Sequence, residues 1–137
     1  MEKKVTVNYL DHVAISVTDV EKSAEWYENV IGLRRHIVPE WGGYPVMMLS
    51  GKTGLAIFPI KSKEKKSSQV FEEIRIKHFA FNVDKLNFEL AKERFKSLEI
   101  PFSLQDHHYF KSIYFKDLDG HEVELTTLKV GFESFYN

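Results

Sequence analysis

One pattern, written twice, constrains this chain more than any other feature: His12-Val-Ala-Ile-Ser-Val17 returns as His78-Phe-Ala-Phe-Asn-Val83, 66 residues later (12 to 78). Self-similarity at a fixed displacement marks one supersecondary unit used twice. Alternation makes each copy a strand, because successive side chains of an extended chain point to opposite sides. Val13, Ile15 and Val17, or Phe79, Phe81 and Val83, share one face; His12, Ala14 and Ser16, or His78, Ala80 and Asn82, share the other. The bulky set belongs against a core. The small and polar set opposite suits the wall of a cavity.

Each strand leads into an amphipathic helix. Asp19 is a capping residue for the first, Ser23, Trp26, Tyr27 and Val30 form its apolar stripe, and Gly32 supplies a left-handed stop. In the second copy Asp84 caps, Phe88, Ala91, Phe95 and Leu98 form the stripe, and Pro101 follows the end. Three strand-like runs come after each helix, at about 33–38, 44–50 and 53–60, then about 102–106, 110–116 and 121–128. The expected fold is therefore α+β, two tandem βαβββ modules forming a cupped mixed sheet around a site. The modules span about 7–60 and 73–128, with a polar linker at about 61–72 and a tail at 129–137. With 137 residues, 43% hydrophobic, the two modules make a single domain.

Composition removes several function classes. Nineteen Lys plus Arg nearly balance twenty Asp plus Glu, so no net field draws in nucleic acid, and a small-molecule partner is expected instead. Without cysteine there is no disulfide, thiolate metal site or cysteine nucleophile, so any metal must take nitrogen and oxygen ligands. Neither a signal-like start nor a run near the ~20 apolar residues of a membrane span is visible, so the expectation is a cytoplasmic protein with no membrane partner. The aromatic tail, with Phe132, Phe135 and Tyr136, suits packing on the domain or on a second copy, and a homodimer is expected.

The repeat gives its histidines more weight than either has alone. Equivalent strands place His12 and His78 at equivalent inward positions, and pseudo-twofold symmetry would bring them together. On the last strand Glu124 sits at mid-length on the face shared by Glu122 and Thr126, where burying a carboxylate is costly unless a cation answers it. Any one of the three has a bland explanation, as a core histidine bonded to backbone or an acid on an edge strand. Together they match a two-histidine, one-carboxylate set for one divalent metal ion. That set leaves coordination positions open; Fe(II) is favoured, and Mn(II), Zn(II) and Ni(II) also use it.

With His12, His78 and the stretch Ser112-Ile-Tyr-Phe-Lys-Asp-Leu-Asp-Gly-His-Glu-Val-Glu124-Leu in view, the chain resembles the vicinal oxygen chelate superfamily over roughly 7–128. That superfamily includes glyoxalase I, extradiol dioxygenases, fosfomycin-resistance enzymes and bleomycin-binding proteins. The resemblance implies a metalloenzyme whose small substrate chelates the metal through adjacent oxygens. Glyoxalase I presents four protein ligands, and stepping back 66 residues from Glu124 reaches Phe58, which is no ligand. The same step takes Tyr114 to Met48 and Ser112 to Val46, so Val46, Met48 and Phe58 are expected to form an apolar substrate wall, with Asn82 and Ser112 opposite.

His107, Ile113-Tyr114, Asp117, Gly120 and Glu124 resemble the extradiol dioxygenase signature. The likeness implies that Tyr114 hydrogen-bonds the substrate oxygen and that His107 or His108 moves a proton. A dioxygenase-like activity is the favoured expectation. A glyoxalase-type isomerase or lyase, or a fosfomycin-type thiol or water transferase with Lys111, Lys116, Arg34 and Arg35 as candidate anion partners, stands beside it. A non-catalytic drug-binding protein is a further alternative, set apart by having no need of the triad.

Overall fold

Each copy of the repeat opens a module of the same design. In the computed structural model, which describes residues 3–61 and 74–136, the chain divides into two compact units, Met1–Lys61 and Ser62–Asn137. The expected linker at 61–72 lies, beyond Lys61, outside the described residues.

The first unit runs β1 (His12–Val17), α1 (Val20–Ile31), β2 (Arg34–His36), a 3-10 turn (Pro39–Trp41), β3 (Val46–Ser50) and β4 (Thr53–Pro59). Its sheet has the order β1-β4-β3-β2, with β1 parallel to β4 and the other pairs antiparallel. Asp19 accepts the Lys22 amide at the start of α1, and Gly32, at φ 68°, takes the Glu28 and Tyr27 carbonyls at its end. The helix buries Ser23, Ala24, Tyr27 and Val30. On the sheet Ile15, Val17, Val46, Met48, Leu55 and Ile57 are buried, each large apolar one worth roughly 1.5–3 kcal/mol when fully removed from water.

The second unit repeats the order: β5 (Phe79–Asn82), α2 (Lys85–Ser97), β6 (Phe102–Asp106), β7 (Phe110–Lys116) and β8 (Glu122–Leu128), then a short helix α3 (Glu133–Tyr136). Its sheet is β5-β8-β7-β6, again with one parallel pair, β5 with β8. Asp84 caps α2 by accepting the Asn87 amide and side chain, both at 2.8 Å. Phe88 and Phe95 are the buried members of the helical stripe, whereas Leu98 is exposed. Phe95 packs on Phe115 and Phe102, ring centroids 4.5 and 6.0 Å away.

The two modules are not related by a constant displacement. Ala14 pairs with Ala56 on β4, a step of 42 residues, while its counterpart Ala80 pairs with Glu124 on β8, a step of 44. Part of the difference lies in the hairpins: Ser50 pairs with Thr53 across two turn residues, but Lys116 and Glu122 enclose five. Glu124 therefore corresponds to Ala56, and Tyr114, which pairs with Glu124, corresponds to Met47, which pairs with Ala56.

That shift corrects the expected substrate wall. Because side chains alternate, an odd slip in register moves a residue to the other face of its sheet. Val46 and Met48 pair with Ile57 and Leu55 and lie with them on the buried side that faces α1. Phe58 pairs with Ser16 on the open side, together with Met47 and Ala56. Val46 and Met48 are core residues, and the larger apolar side chains on the open side of this sheet are Met47 and Phe58, with buried Ala56 between them. The inference that no fourth acidic or histidine ligand stands opposite Glu124 is unchanged, since its counterpart is an alanine.

Among the described residues no helix is long and apolar enough to cross a membrane.

Candidate metal centre

The second sheet turns Glu124, Thr126, Ser112, Tyr114 and Ala80 to its open side, because these residues face one another across the β5-β8-β7 ladder. Glu124 is only 4% exposed. Its Oε1 lies 3.0 Å from His78 Nε2, and its Oε2 accepts the Ser112 hydroxyl at 2.6 Å. Thr126 Oγ1 stands 3.3 Å from the same serine oxygen. A carboxylate removed from water requires charge-assisted partners; here they are the Ser112 and Tyr114 hydroxyls and the His78 imidazole.

The donor set fits a divalent cation in its chemistry: one imidazole nitrogen and one carboxylate oxygen, 3.0 Å apart, are ligand types that such ions take. Ser112 is fully buried and its hydroxyl is spent on Glu124. A fully buried Ser112 has no surface to offer a small molecule, and what its hydroxyl meets is the Glu124 carboxylate and Thr126. Asn82, also on the open side and paired with Thr126, is exposed and free of that constraint.

Beside this pair stands Tyr114, whose ring centroid is 5.6 Å from that of His78. Its hydroxyl is 2.9 Å from His107 Nε2. Burial, then the nearby Glu124 charge, raises the Tyr114 pKa above its ordinary value. At neutral pH the hydroxyl therefore keeps its proton and is a hydrogen-bond donor. The structure separates the two candidate shuttles: His107 reaches Tyr114, whereas His108, in the left-handed region at φ 73°, sets its ring against Tyr109 at 4.7 Å.

His12 opens β1 in the first unit, 45% exposed at its side chain, with Nδ1 2.7 Å from Asp11 Oδ1. A carboxylate can only accept, so in this contact Nδ1 is the donor and Nε2 is not engaged by Asp11. Sequence reasoning missed Asp11; its signal was the Asp-His pair at the strand entrance. Among the described residues no group of three or more His, Cys, Asp or Glu side chains forms a metal cluster. What the second unit assembles by itself is the His78–Glu124 pair.

The candidate anion partners divide by face. Arg35 lies on the helix side, with its guanidinium on Glu21 and Glu28 at 2.8–2.9 Å. These bonds, Glu21's first, raise its pKa. Lys111 pairs with Thr127 and helps line a cavity of about 290 Å³ beside α2, with Phe88 and Lys129, away from Glu124. Lys116, paired with Glu122, and Arg34, paired with Leu49, are the two on open faces.

Two βαβββ modules, each a four-stranded sheet with one parallel pair and a helix, define a class of small α+β proteins. The chain belongs to the glyoxalase/bleomycin resistance protein/dioxygenase superfamily, whose model matches residues 9–125. It is 30% identical over 121 residues to metallothiol transferase FosB of Staphylococcus haemolyticus (strain JCSC1435), covering 86% of this chain and 82% of that one. It is 27% identical over 116 residues to glutathione transferase FosA of Serratia marcescens, covering 85% and 78%. Among solved structures, a glyoxalase/dioxygenase from Nostoc punctiforme superposes with a TM-score of 0.71 at 20% identity, covering 95% of this chain and all of that one. At that identity the likeness concerns the fold.

Proposed function

We propose that this chain is a metal-dependent enzyme that adds a low-molecular-weight thiol, or water, to a small electrophile held through adjacent oxygens, with His12, His78 and Glu124 holding the metal. The observation that carries the reading is the buried Glu124 carboxylate, aimed by Ser112 at His78 Nε2 3.0 Å away. The transferase names of the curated relatives support this reaction over the dioxygenase expectation. His12 is the third ligand, from the first module of the same chain or of a second copy. A bound divalent ion supplies Lewis acidity, polarising the substrate oxygen that becomes anionic as its bond to carbon breaks.

The chain's own residues do the rest. Ser112 holds the carboxylate in one orientation, and Asp11 holds the His12 ring in one tautomer. When the nucleophile's sulfur or oxygen bonds to an epoxide carbon, the carbon–oxygen bond breaks; the nucleophile releases its S–H or O–H proton to solvent and the leaving oxygen takes one up. Tyr114, protonated at neutral pH, is the donor beside Glu124. His107, on its far side at 2.9 Å, returns a proton to the phenol oxygen. Proton transfer by such a positioned group contributes typically about 10²- to 10⁴-fold. Met47 and Phe58 offer an apolar surface to the substrate's carbon skeleton.

A second reading, ring-cleaving dioxygenase, is favoured by one observation, the His107–Tyr114 pair that its signature calls for. A single panel separates the two. Purified protein is loaded with Mn(II), Ni(II), Zn(II) or, anaerobically, Fe(II), then offered fosfomycin with glutathione, cysteine or water, and separately a series of catechols. Loss of the epoxide with adduct formation, abolished in Glu124→Ala, supports the transferase. Oxygen uptake with catechols under Fe(II) alone transfers the assignment to the dioxygenase, and no metal binding by the wild type overturns both.

A further inference from the structure

His107 sits at a hairpin tip that its own two strands hold only in part. Between Asp106 and Phe110 the turn closes with His107 N–H on the Phe110 carbonyl and Tyr109 N–H on the His107 carbonyl, both at 2.8 Å. Its third residue-to-residue tie, His108 N–H to the Asp106 carboxylate, is local as well. A left-handed non-glycine residue such as His108 is strained and persists only where the surroundings hold it.

Those surroundings are the C-terminal segment. Lys129 N–H bonds the Tyr109 carbonyl at 2.8 Å, and the Lys129 ammonium grips both Asp106 oxygens at 2.8 and 3.0 Å. Six residues on, the Phe135 ring lies against Phe110 at 5.3 Å and Tyr109 at 5.6 Å. Phe110 in turn packs on the His107 ring at 5.4 Å, and His107 Nε2 meets the Tyr114 hydroxyl. A continuous line of contacts thus runs from the tail to the residue beside His78 and Glu124.

We infer that the segment 129–136 is a positioning element for the reaction, with Phe135 setting the His107 ring through Phe110 and thereby the direction of the Tyr114 hydroxyl. The role of Tyr114 rests on the function proposed above; the mechanical link from Phe135 to His107 does not. Phe132 provides an internal comparison, since its ring meets Tyr136 at 5.2 Å and reaches Phe135 only through that tyrosine, whose ring is 4.8 Å from Phe135.

The test uses the full chain with ¹³C-labelled histidine, comparing wild type, Phe135→Ala, Phe135→Tyr, Phe132→Ala and a Phe110→Leu variant. The ring resonances of His107, assigned by their loss in His107→Gln, are the readout that overall folding does not move. Expected is a displaced and broadened His107 signal in Phe135→Ala and Phe110→Leu, restoration in Phe135→Tyr, and a clearly smaller change in Phe132→Ala. Calorimetric Mn(II) affinity stays within about threefold of wild type in Phe135→Ala, because the Ser112–Glu124–His78 arrangement does not pass through the tail. In the epoxide assay kcat falls by up to about 100-fold, the scale of a misplaced catalytic group, with KM little changed and no further loss on adding Tyr114→Phe. An unmoved His107 signal in Phe135→Ala, or equal effects from Phe132→Ala, overturns the inference. A moved signal in a protein that binds no metal upholds the link while removing the reaction it was meant to serve.

Discussion

Replacing Ser112 by alanine removes one oxygen and little else, so it isolates the hydroxyl that holds Glu124. The side chain is completely buried and its bond to Oε2 is 2.6 Å long. Hydrogen bonds to charged groups contribute about 1.5–3 kcal/mol, and the metal-free variant is expected to lose that much stability in urea denaturation. Metal affinity is expected to fall as well, since the carboxylate must then be turned toward His78 at the moment of binding. Groups that orient metal ligands typically govern about 10- to 100-fold in affinity, which is about 1.4–2.7 kcal/mol. Titration calorimetry with Mn(II) and Zn(II), at one pH and beside wild type, measures it. If Ser112→Ala loses the stability yet binds metal within threefold of wild type, the serine is an ordinary core donor and the argument that it aims the carboxylate is refuted.

Other expectations follow from the same contacts. The Lys129 hydrogen bond, ahead of the His108 amide, lowers the Asp106 pKa from 3.8; its contribution to stability is present above that value and lost as pH falls through the depressed one. The acid-side decline in urea midpoint, below about pH 4, should therefore be shallower in Asp106→Asn than in wild type, and an identical decline would dismiss the pair. Phe95→Ala empties a fully buried site against Phe102 and Phe115 and should cost about 3–5 kcal/mol, measured by chemical denaturation. A loss under 1 kcal/mol would mean that the second core is packed otherwise. A Cβ added at Gly54 would run into the Met48 carbonyl oxygen, so Gly54→Ala should lower the melting temperature, whereas Gly131→Ala, with open space around it, should leave it unchanged.

The fold was legible because its two alternating strands and two capped stripes are local signals. Asp19, Gly32 and Asp84 act where the spacing places them, and β7 occupies 110–116 as the alternation indicates. What was not legible was register between the copies. A subtraction of 66 treats the hairpins as equal, yet the Asp117-to-His121 turn is longer than its counterpart at Gly51-Lys52. One residue of difference is enough to exchange Met47 for Met48. The candidate site divides in the same way: types and faces of His78, Glu124 and Tyr114 could be read from the pattern. The orienting roles of Ser112 and Asp11, and the preference of Tyr114 for His107 over His108, depend on distances that no spacing encodes.

Two buried carboxylates a few residues apart, Asp117 and Glu124, differ in how their charge is answered. Asp117 is 8% exposed, but its Oδ1 accepts the backbone N–H groups of Asp119 and His121 at 3.0 and 2.9 Å. Its charge is answered by the turn it closes, and the Asp-Leu-Asp-Gly sequence is what that turn requires. Glu124 is more deeply buried, on a strand whose own amides are committed to the ladder, and its partners are side chains, Ser112, His78 and the Tyr114 hydroxyl. No backbone geometry calls for a glutamate there, since the equivalent position of the first module is occupied by Ala56 in the same ladder. A residue that the fold does not need, held at the expense of desolvating a charge, implies that something positive is brought to it. His78 meets one of its oxygens and Ser112 the other, and metal titration of wild type beside Glu124→Ala decides whether a divalent ion is the positive partner.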